Sequence, residues 1–232
     1  MSITFNGKVL PKASVSIRGQ RMLKNIFDRF GAIISLILTS PIFLVVSVML
    51  KIQREDVFFL QDRIGLNQET FKIFKFSTMI KGSEKHGSIT TSKDTRITAL
   101  GSFLRRFKIN EIPQLINVLK GDMSFVGPRP LPRSELERFY SPEDTAKIYS
   151  VKPGITGRGS MEFSDEEECL SRAEDFTEFF AKEIMPRKAK LEVWYVDNWN
   201  IMLDAKLFFG TILKLLKTFA GYPIDRFIRR KQ

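Results

Sequence analysis

Residues Phe30–Leu50 read FGAIISLILTSPIFLVVSVML, twenty-one residues without a charge. As a helix this stretch is about 31 Å long, enough to span a hydrocarbon core. It lies too deep in the chain for a simple secretory signal, and no small-residue cleavage site follows it. Ser40-Pro41 sits at its middle, where proline removes a backbone donor and kinks or breaks a helix. Both flanks are basic, with Arg18, Arg21, Lys24 and Arg29 before and Lys51 and Arg54 after. The positive-inside tendency keeps both ends on the cytoplasmic side. A helix that enters, breaks at Ser40-Pro41 and returns satisfies both features; a kinked transmembrane helix is the plainer alternative.

The rest of the composition agrees with a membrane surface. The chain has 232 residues, 43% hydrophobic and 27% charged, which excludes a disordered tail and a polytopic transporter. One cysteine, Cys169, excludes a disulfide framework and a cysteine-built metal site, and one histidine, His86, argues against His-ligated metals and Ser-His triads. Chemistry here falls to carboxylates, Lys, Arg and a hard metal ion. The net charge is +11, and it sits at the ends. Residues 1–29 carry six Lys/Arg against one acid, and residues 201–232 carry seven against two, leaving the middle close to neutral. Basic flanks beside apolar stretches fit an anionic lipid surface, whereas a nucleic-acid groove draws its cations from across a fold. No nucleic acid is expected as a partner.

Four regions follow. Residues 1–21 form an N-terminal extension, 22–54 the re-entrant membrane helix broken at Ser40-Pro41, 55–200 a catalytic domain, and 201–232 an amphipathic basic helix and tail. The fold class is an α/β monotopic membrane protein with a helix-break-helix hairpin, a small mixed globular domain and amphipathic interface helices. Val57–Leu60 and Phe71–Phe76 read as strands joined by the turn-prone Gly65-Leu66-Asn67, and Gly82–Asp94 as a loop. Ile97–Phe107, Ile112–Leu119, Pro142–Tyr149 and Glu166–Lys190 read as helices, and Val151–Gly157 as a turn-rich connection. Over Ile201–Phe219, Leu203, Leu207, Ile212, Leu216 and Phe219 share a side while Lys206, Lys214 and Lys217 lie elsewhere on the wheel. That pattern suits an interface helix, and a core helix is equally consistent with it.

Asp94–Pro130 reads DTRITALGSFLRRFKINEIPQLINVLKGDMSFVGPRP. Arg96, Arg105, Arg106 and Arg129 are available for phosphate oxygens, which suit bidentate guanidinium contacts. Glu111 and Asp122 are candidate ligands for Mg²⁺. Pro128 and Pro130 brace Arg129 on both sides, so little entropy is lost when it binds an anion. A phosphorylated substrate with a metal follows. Neither a Walker loop nor a dinucleotide glycine pattern occurs.

Several runs together resemble the bacterial sugar transferase family, the monotopic polyprenol-phosphate phosphoglycosyl transferases. They are Arg63-Ile64-Gly65, Phe71–Met79, Asn110–Leu115, Asn117–Ser124, Val126–Pro130, Lys152–Gly157 and Tyr195–Trp199. The resemblance covers about residues 22–219, in the short form without additional membrane helices. It implies transfer of a sugar-1-phosphate from a UDP-sugar to undecaprenyl phosphate, with release of UMP. This is the first membrane step of glycan assembly, at the cytoplasmic face of the bacterial inner membrane. It further implies Mg²⁺, inner-membrane lipid as a partner, and a re-entrant helix broken at Ser40-Pro41; membrane-interface helices of this kind often pair, so a homodimer is the assembly to test. In the family an Asp-Glu pair is catalytic: the Asp attacks the β-phosphorus and forms a covalent phosphosugar intermediate, which divides one hard displacement into two. Here Glu111 falls where it would hold the metal or manage a proton. Lys75 and Arg129 are placed for phosphate charge with Arg105 and Arg106, and Glu192 aligns with an acidic position near the site.

The sequence departs from the family at the nucleophile, where Asn110 stands in place of Asp. A carboxamide supplies no anionic oxygen, and one lost charge weakens a shared metal site. Three readings are open: a substitution introduced to stop turnover, a variant using Glu111 or another acid, and a non-catalytic homologue that binds UDP-sugar and polyprenol phosphate. Smaller departures are Ser77 for a basic residue, Gln68 for a glycine, and Arg158-Gly159-Ser160.

Overall fold

The computed structural model describes residues 17–82 and 94–220, and the backbone of residues 4–5 and 8–9. The loop expected over Gly82–Asp94 falls almost wholly outside these residues, as does the basic tail after Ala220. Strands β1 (Thr4–Phe5) and β2 (Lys8–Val9) pair antiparallel ahead of α1 (Ile17–Ile52), a 36-residue helix that contains the whole uncharged stretch. The expected interruption at Ser40-Pro41 does not occur. Pro41 has no N–H to give the Ile37 carbonyl four residues back, and the Ser40 hydroxyl donates to that carbonyl instead, at 2.8 Å. Thr39 Oγ1 donates to the Ser35 carbonyl at 2.7 Å. The Ser40 hydroxyl thus replaces the bond that proline removes, and the helix continues.

Helix α1 is long and apolar enough to cross a membrane, with 11% of its apolar window buried. Ile37, Leu38 and Leu44 project outward with most of their surface uncovered. A water-facing patch of that size is untenable, so the helix belongs with lipid and the protein associates with a membrane. Both halves of α1 nevertheless pack on the globular part. Ala32 joins Ile73, Val118 and Met123, whereas Val46 and Leu50 join Phe76 and Leu104, with Ile109 against them. Asp28 Oδ1 accepts the Phe125 N–H at 3.1 Å, and Lys24 donates to the Val126 carbonyl at 2.8 Å.

Strand β3 (Phe58–Ile64) pairs antiparallel with β4 (Thr70–Phe76), from Phe58 opposite Phe76 to Ile64 opposite Thr70. The turn between them places Asn67 and Gln68 at positive φ. Helix α2 (Ala99–Arg106) starts two residues later than expected because Thr98 Oγ1 caps the Gly101 N–H at 2.9 Å. Lys108 then takes a left-handed turn (φ 56°), and a 3₁₀ turn over Ile109–Glu111 leads to α3 (Gln114–Lys120), closed by Gly121 at φ 93°. Asn117, wholly buried in α3, accepts from Phe74 N at 3.0 Å and donates to the Lys72 carbonyl at 2.8 Å, so it satisfies the free edge of β4.

Strand β5 (Ser124–Val126) pairs parallel with β6 (Gly154–Thr156), so the expected turn-rich connection holds a strand. Gly154 is required there, since a Cβ would stand 2.1 Å from Gly127 N. Helices α4 (Arg133–Phe139) and α5 (Pro142–Ile148) cross between these strands, and α6 (Arg158–Glu162) and α7 (Glu166–Leu170) follow. The single helix expected over Glu166–Lys190 is divided: α7 ends, and Asp175 caps a new start by accepting from Thr177 N and Glu178 N at 2.9 Å each. Helix α8 (Phe176–Phe179) runs through a π turn into α9 (Met185–Asp197), and α10 (Ile201–Ala220) completes the described fold. The largest core cluster sets Leu136, Ile148 and Tyr149 against Ile184 and Met185. Phe209, Leu213 and Leu216 of α10 stay exposed, whereas Asp204 and Leu207 are buried.

Candidate active site

The backbone between Val126 and Leu131 is fixed at each step. Gly127 N donates to the Thr156 carbonyl at 2.9 Å, and Gly154 N donates to the Pro128 carbonyl at 2.9 Å. The Tyr149 hydroxyl donates to the Arg129 carbonyl at 2.9 Å and accepts from Leu131 N at 3.2 Å. Arg63 Nη1 donates to the Pro130 carbonyl at 3.3 Å. The two prolines therefore hold a loop whose remaining polar groups are already engaged, and Arg129 projects from a rigid base.

Glu111 ends the 3₁₀ turn and meets that base. Its Oε1 lies 3.3 Å from Arg129 Nη2 and 3.8 Å from Lys75 Nζ, the latter on β4. Burial alone raises the Glu111 carboxyl, but Arg129 and Lys75 overcome it and hold it at about 2. Glu111 in turn strengthens the Arg129 charge. Burial pushes Lys75 down to about 7 despite Glu111, with Arg63, Arg129 and Arg105 adding repulsion. Burial likewise lowers Arg63 to about 10, and its Nε is buried with no partner.

Sequence reasoning missed Arg63. The signal was present, since it opens the Arg63-Ile64-Gly65 run, but strand alternation gives no reason for it to turn toward the Arg129 loop. Asn110 is 9% exposed, and its Oδ1 is buried without a partner. Glu192 on α9 lies behind the loop: Oε1 accepts from Arg129 N at 3.3 Å, whereas Oε2 is buried and unpaired. Burial raises its carboxyl to about 7. Gly159 makes room for it, since a Cβ there would lie 2.6 Å from Glu192 Oε1.

The other expected residues stand apart. Arg105 is held by Thr78 Oγ1 and Glu167 Oε1, each at 2.9 Å. Arg106 faces outward on α2. Asp122 accepts from Asn117 Nδ2 at 3.2 Å and lies 3.5 Å from Lys120, so its partners differ from those of Glu111. Among the described residues no group of three or more His, Cys, Asp or Glu side chains converges. Mg²⁺ prefers an octahedral oxygen set with one or two carboxylates. Here Glu111 faces two cations that repel a dication, Asn110 is neutral, and Asp122 is committed to Asn117. The residues present do not fit a resident magnesium ion.

Known proteins share this sequence at length. The uncharacterized sugar transferase EpsL of Bacillus subtilis (strain 168) is 39% identical over 197 residues, which are 84% of this chain and 88% of EpsL. The UDP-N-acetylgalactosamine-undecaprenyl-phosphate N-acetylgalactosaminephosphotransferase of Aeromonas hydrophila is 33% identical over 205 residues, 86% of this chain and 45% of that protein. The UDP-glucose:undecaprenyl-phosphate glucose-1-phosphate transferase of Escherichia coli (strain K12) is 32% identical over 219 residues, 92% and 45%. The chain thus spans most of EpsL and just under half of the other two. Residues 19–218, which hold α1, the Glu111 turn and the Arg129 loop, match the bacterial sugar transferase profile, and the chain belongs to that family.

Proposed function

We propose that this chain transfers a sugar-1-phosphate from a UDP-sugar to undecaprenyl phosphate, releasing UMP, at the cytoplasmic face of the bacterial inner membrane. One observation carries this function: Lys75 and Arg129 meet at a single ionised carboxylate, Glu111, and Arg63, bonded to the Pro130 carbonyl, adds a third partly buried cation beside them. A buried excess of positive charge is costly unless an anion completes it, and a diphosphate matches guanidinium and ammonium donors. The Ile109 side chain of the same turn packs against the cluster that Val46 and Leu50 of α1 form with Phe76 and Leu104, which supports an acceptor delivered from lipid. The two relatives from Aeromonas hydrophila and Escherichia coli act between UDP-sugars and undecaprenyl phosphate by name, which supports the same donor and acceptor here.

In this proposal α1 stays helical through Ser40-Pro41 but bends there, where proline loosens the hydrogen-bond ladder, so that it dips into one leaflet and returns. Support comes from the packing of both its halves on one globular body and from the basic flanks. Arg129 and Lys75 hold the diphosphate, and the braced loop keeps Arg129 aimed without an ordering cost. The electron pair of the broken phosphoanhydride bond leaves with UMP, beside these cations. A second function, binding of donor and acceptor without turnover, is favoured by Asn110, which places no oxyanion at the family's nucleophile position. UMP release from UDP-glucose, UDP-galactose and UDP-N-acetylgalactosamine, with undecaprenyl phosphate in nanodiscs, separates the two. Turnover by the chain itself establishes the transferase, turnover only after Asn110→Asp marks a transferase stopped at its nucleophile, and nucleotide bound with no UMP from either protein establishes the binding homologue. No UMP from either protein, with no nucleotide bound, removes both.

A further inference from the structure

The family resemblance implies a divalent cation for the donor's diphosphate, yet the charges around Glu111 are already arranged for that anion. We propose that this chain binds the diphosphate of its donor through Arg63, Lys75 and Arg129, without a divalent cation. The proposal rests on the site being a UDP-sugar site.

Charge balance carries it. Within ion-pair distance, and among the described residues, Glu111 is the sole carboxylate at Lys75 and Arg129. Glu166 and Glu135 act on Arg129 from farther away, and Glu166 is committed to the ammonium of Lys188. Arg63 makes its bonds to neutral acceptors, the Pro130 carbonyl and the Gln61 amide; Glu135 attracts it more than Glu111 does, but not as an ion pair. With Lys75 protonated, as an anion beside it requires, three cations have one carboxylate at ion-pair distance, Glu111, and Glu135 acts from farther away. The diphosphate of a UDP-sugar carries roughly two negative charges, one per phosphorus, which neutralises that surplus. A magnesium ion added to the same volume would restore the imbalance.

Its oxygen donors are also lacking. Asn110 contributes no charge, Glu111 Oε1 is turned to the two cations, and Asp122 bonds Asn117 at the end of α3. A dication at Glu111 would sit beside Arg129 and Lys75, whose charges repel it, and those are the groups that hold the phosphate. Guanidinium pairs bind phosphate oxygens bidentately and need no metal to do so.

The test is UDP binding to the full chain in nanodiscs, by isothermal titration in excess EDTA and in excess magnesium. UDP lacks the sugar and so avoids its identity. Affinity is expected to agree within about threefold between the two conditions, and Arg63→Gln to weaken it about tenfold in both. Glu111→Gln, which removes the anion competing for Arg129 and Lys75, should bind UDP at least as tightly as the parent in EDTA. Binding that requires magnesium, or that is lost in Glu111→Gln while the variant melts like the parent, overturns the proposal and leaves the UDP-sugar site standing. No UDP binding in either condition overturns both. The parent comparison needs no variant, so a misfolded substitution does not blunt it.

Discussion

Asn110 and Lys75 define two experiments at the scale of single residues. Asn110→Asp should introduce an adduct: incubated with its UDP-sugar and without acceptor, the variant gains the mass of one phosphosugar, whereas the parent does not. Intact mass spectrometry reads this directly, and an unmodified variant that turns over excludes the covalent route here. Lys75 is held near neutrality by burial, at about 7 against an ordinary lysine at 10.5. An arriving diphosphate favours its charged form, so UDP binding at pH 8 should take up close to one proton, falling away below pH 6. Titration calorimetry in buffers of different ionisation enthalpy measures the uptake, and Lys75→Arg should abolish it. Glu192 has the opposite sign. Its carboxyl is raised to about 7 from 4.5, so its stabilisation is full below the unfolded value and is lost as pH rises through 7. Glu192→Gln should flatten the fall in melting temperature between pH 5 and pH 8. Lys75, Arg129 and Glu111 were recognisable in the sequence because they lie in dense motifs. Arg63 was not, because its role depends on a carbonyl sixty-seven residues away.

Elements show where sequence patterns are strong and where they fail. Both strands flanking Gly65 were legible from apolar content, and the helices at α2, α3, α5 and α10 from their spacing. Strand β6 was hidden in Lys152–Gly157, since a three-residue strand has no period to read and owes its existence to pairing with β5. The break at Ser40-Pro41 was overstated for a local reason: the hydroxyl that repairs the proline defect comes from the residue just before it. Ser40→Ala should therefore leave the Ile37 carbonyl bare in an apolar setting and cost about 1 kcal/mol or more, visible as a lower melting temperature in nanodiscs. The course of α1 is tested by accessibility. Single cysteines at Val15→Cys and Glu55→Cys, in a Cys169→Ser background, should both react from the cytoplasmic side, and reaction from opposite sides establishes a spanning helix.

For the whole molecule, one buried carboxylate joins the parts that the sequence places farthest apart. Asp204 at the start of α10 pairs with Lys24 of α1, and accepts from the Tyr195 hydroxyl at 2.7 Å and Trp199 Nε1 at 3.1 Å. Asp204→Ala strands the Lys24 ammonium and should cost about 3 kcal/mol, detaching α10 from α1. Faster proteolysis after residue 200, at unchanged digestion of the 55–148 region, is the expected sign. None of this was legible in the chain, because its partners are 180 and nine positions away in sequence. The cluster that Ile109 shares with Val46 and Leu50 has a mechanical consequence of its own. Lipids with shorter or longer acyl tails tilt a helix to relieve mismatch, and here a tilt of α1 bears on the cluster that also seats Ile109, two residues before the carboxylate that faces Arg129. The cation site is therefore expected to respond to bilayer thickness, which UDP titration in nanodiscs of shorter and longer tails measures.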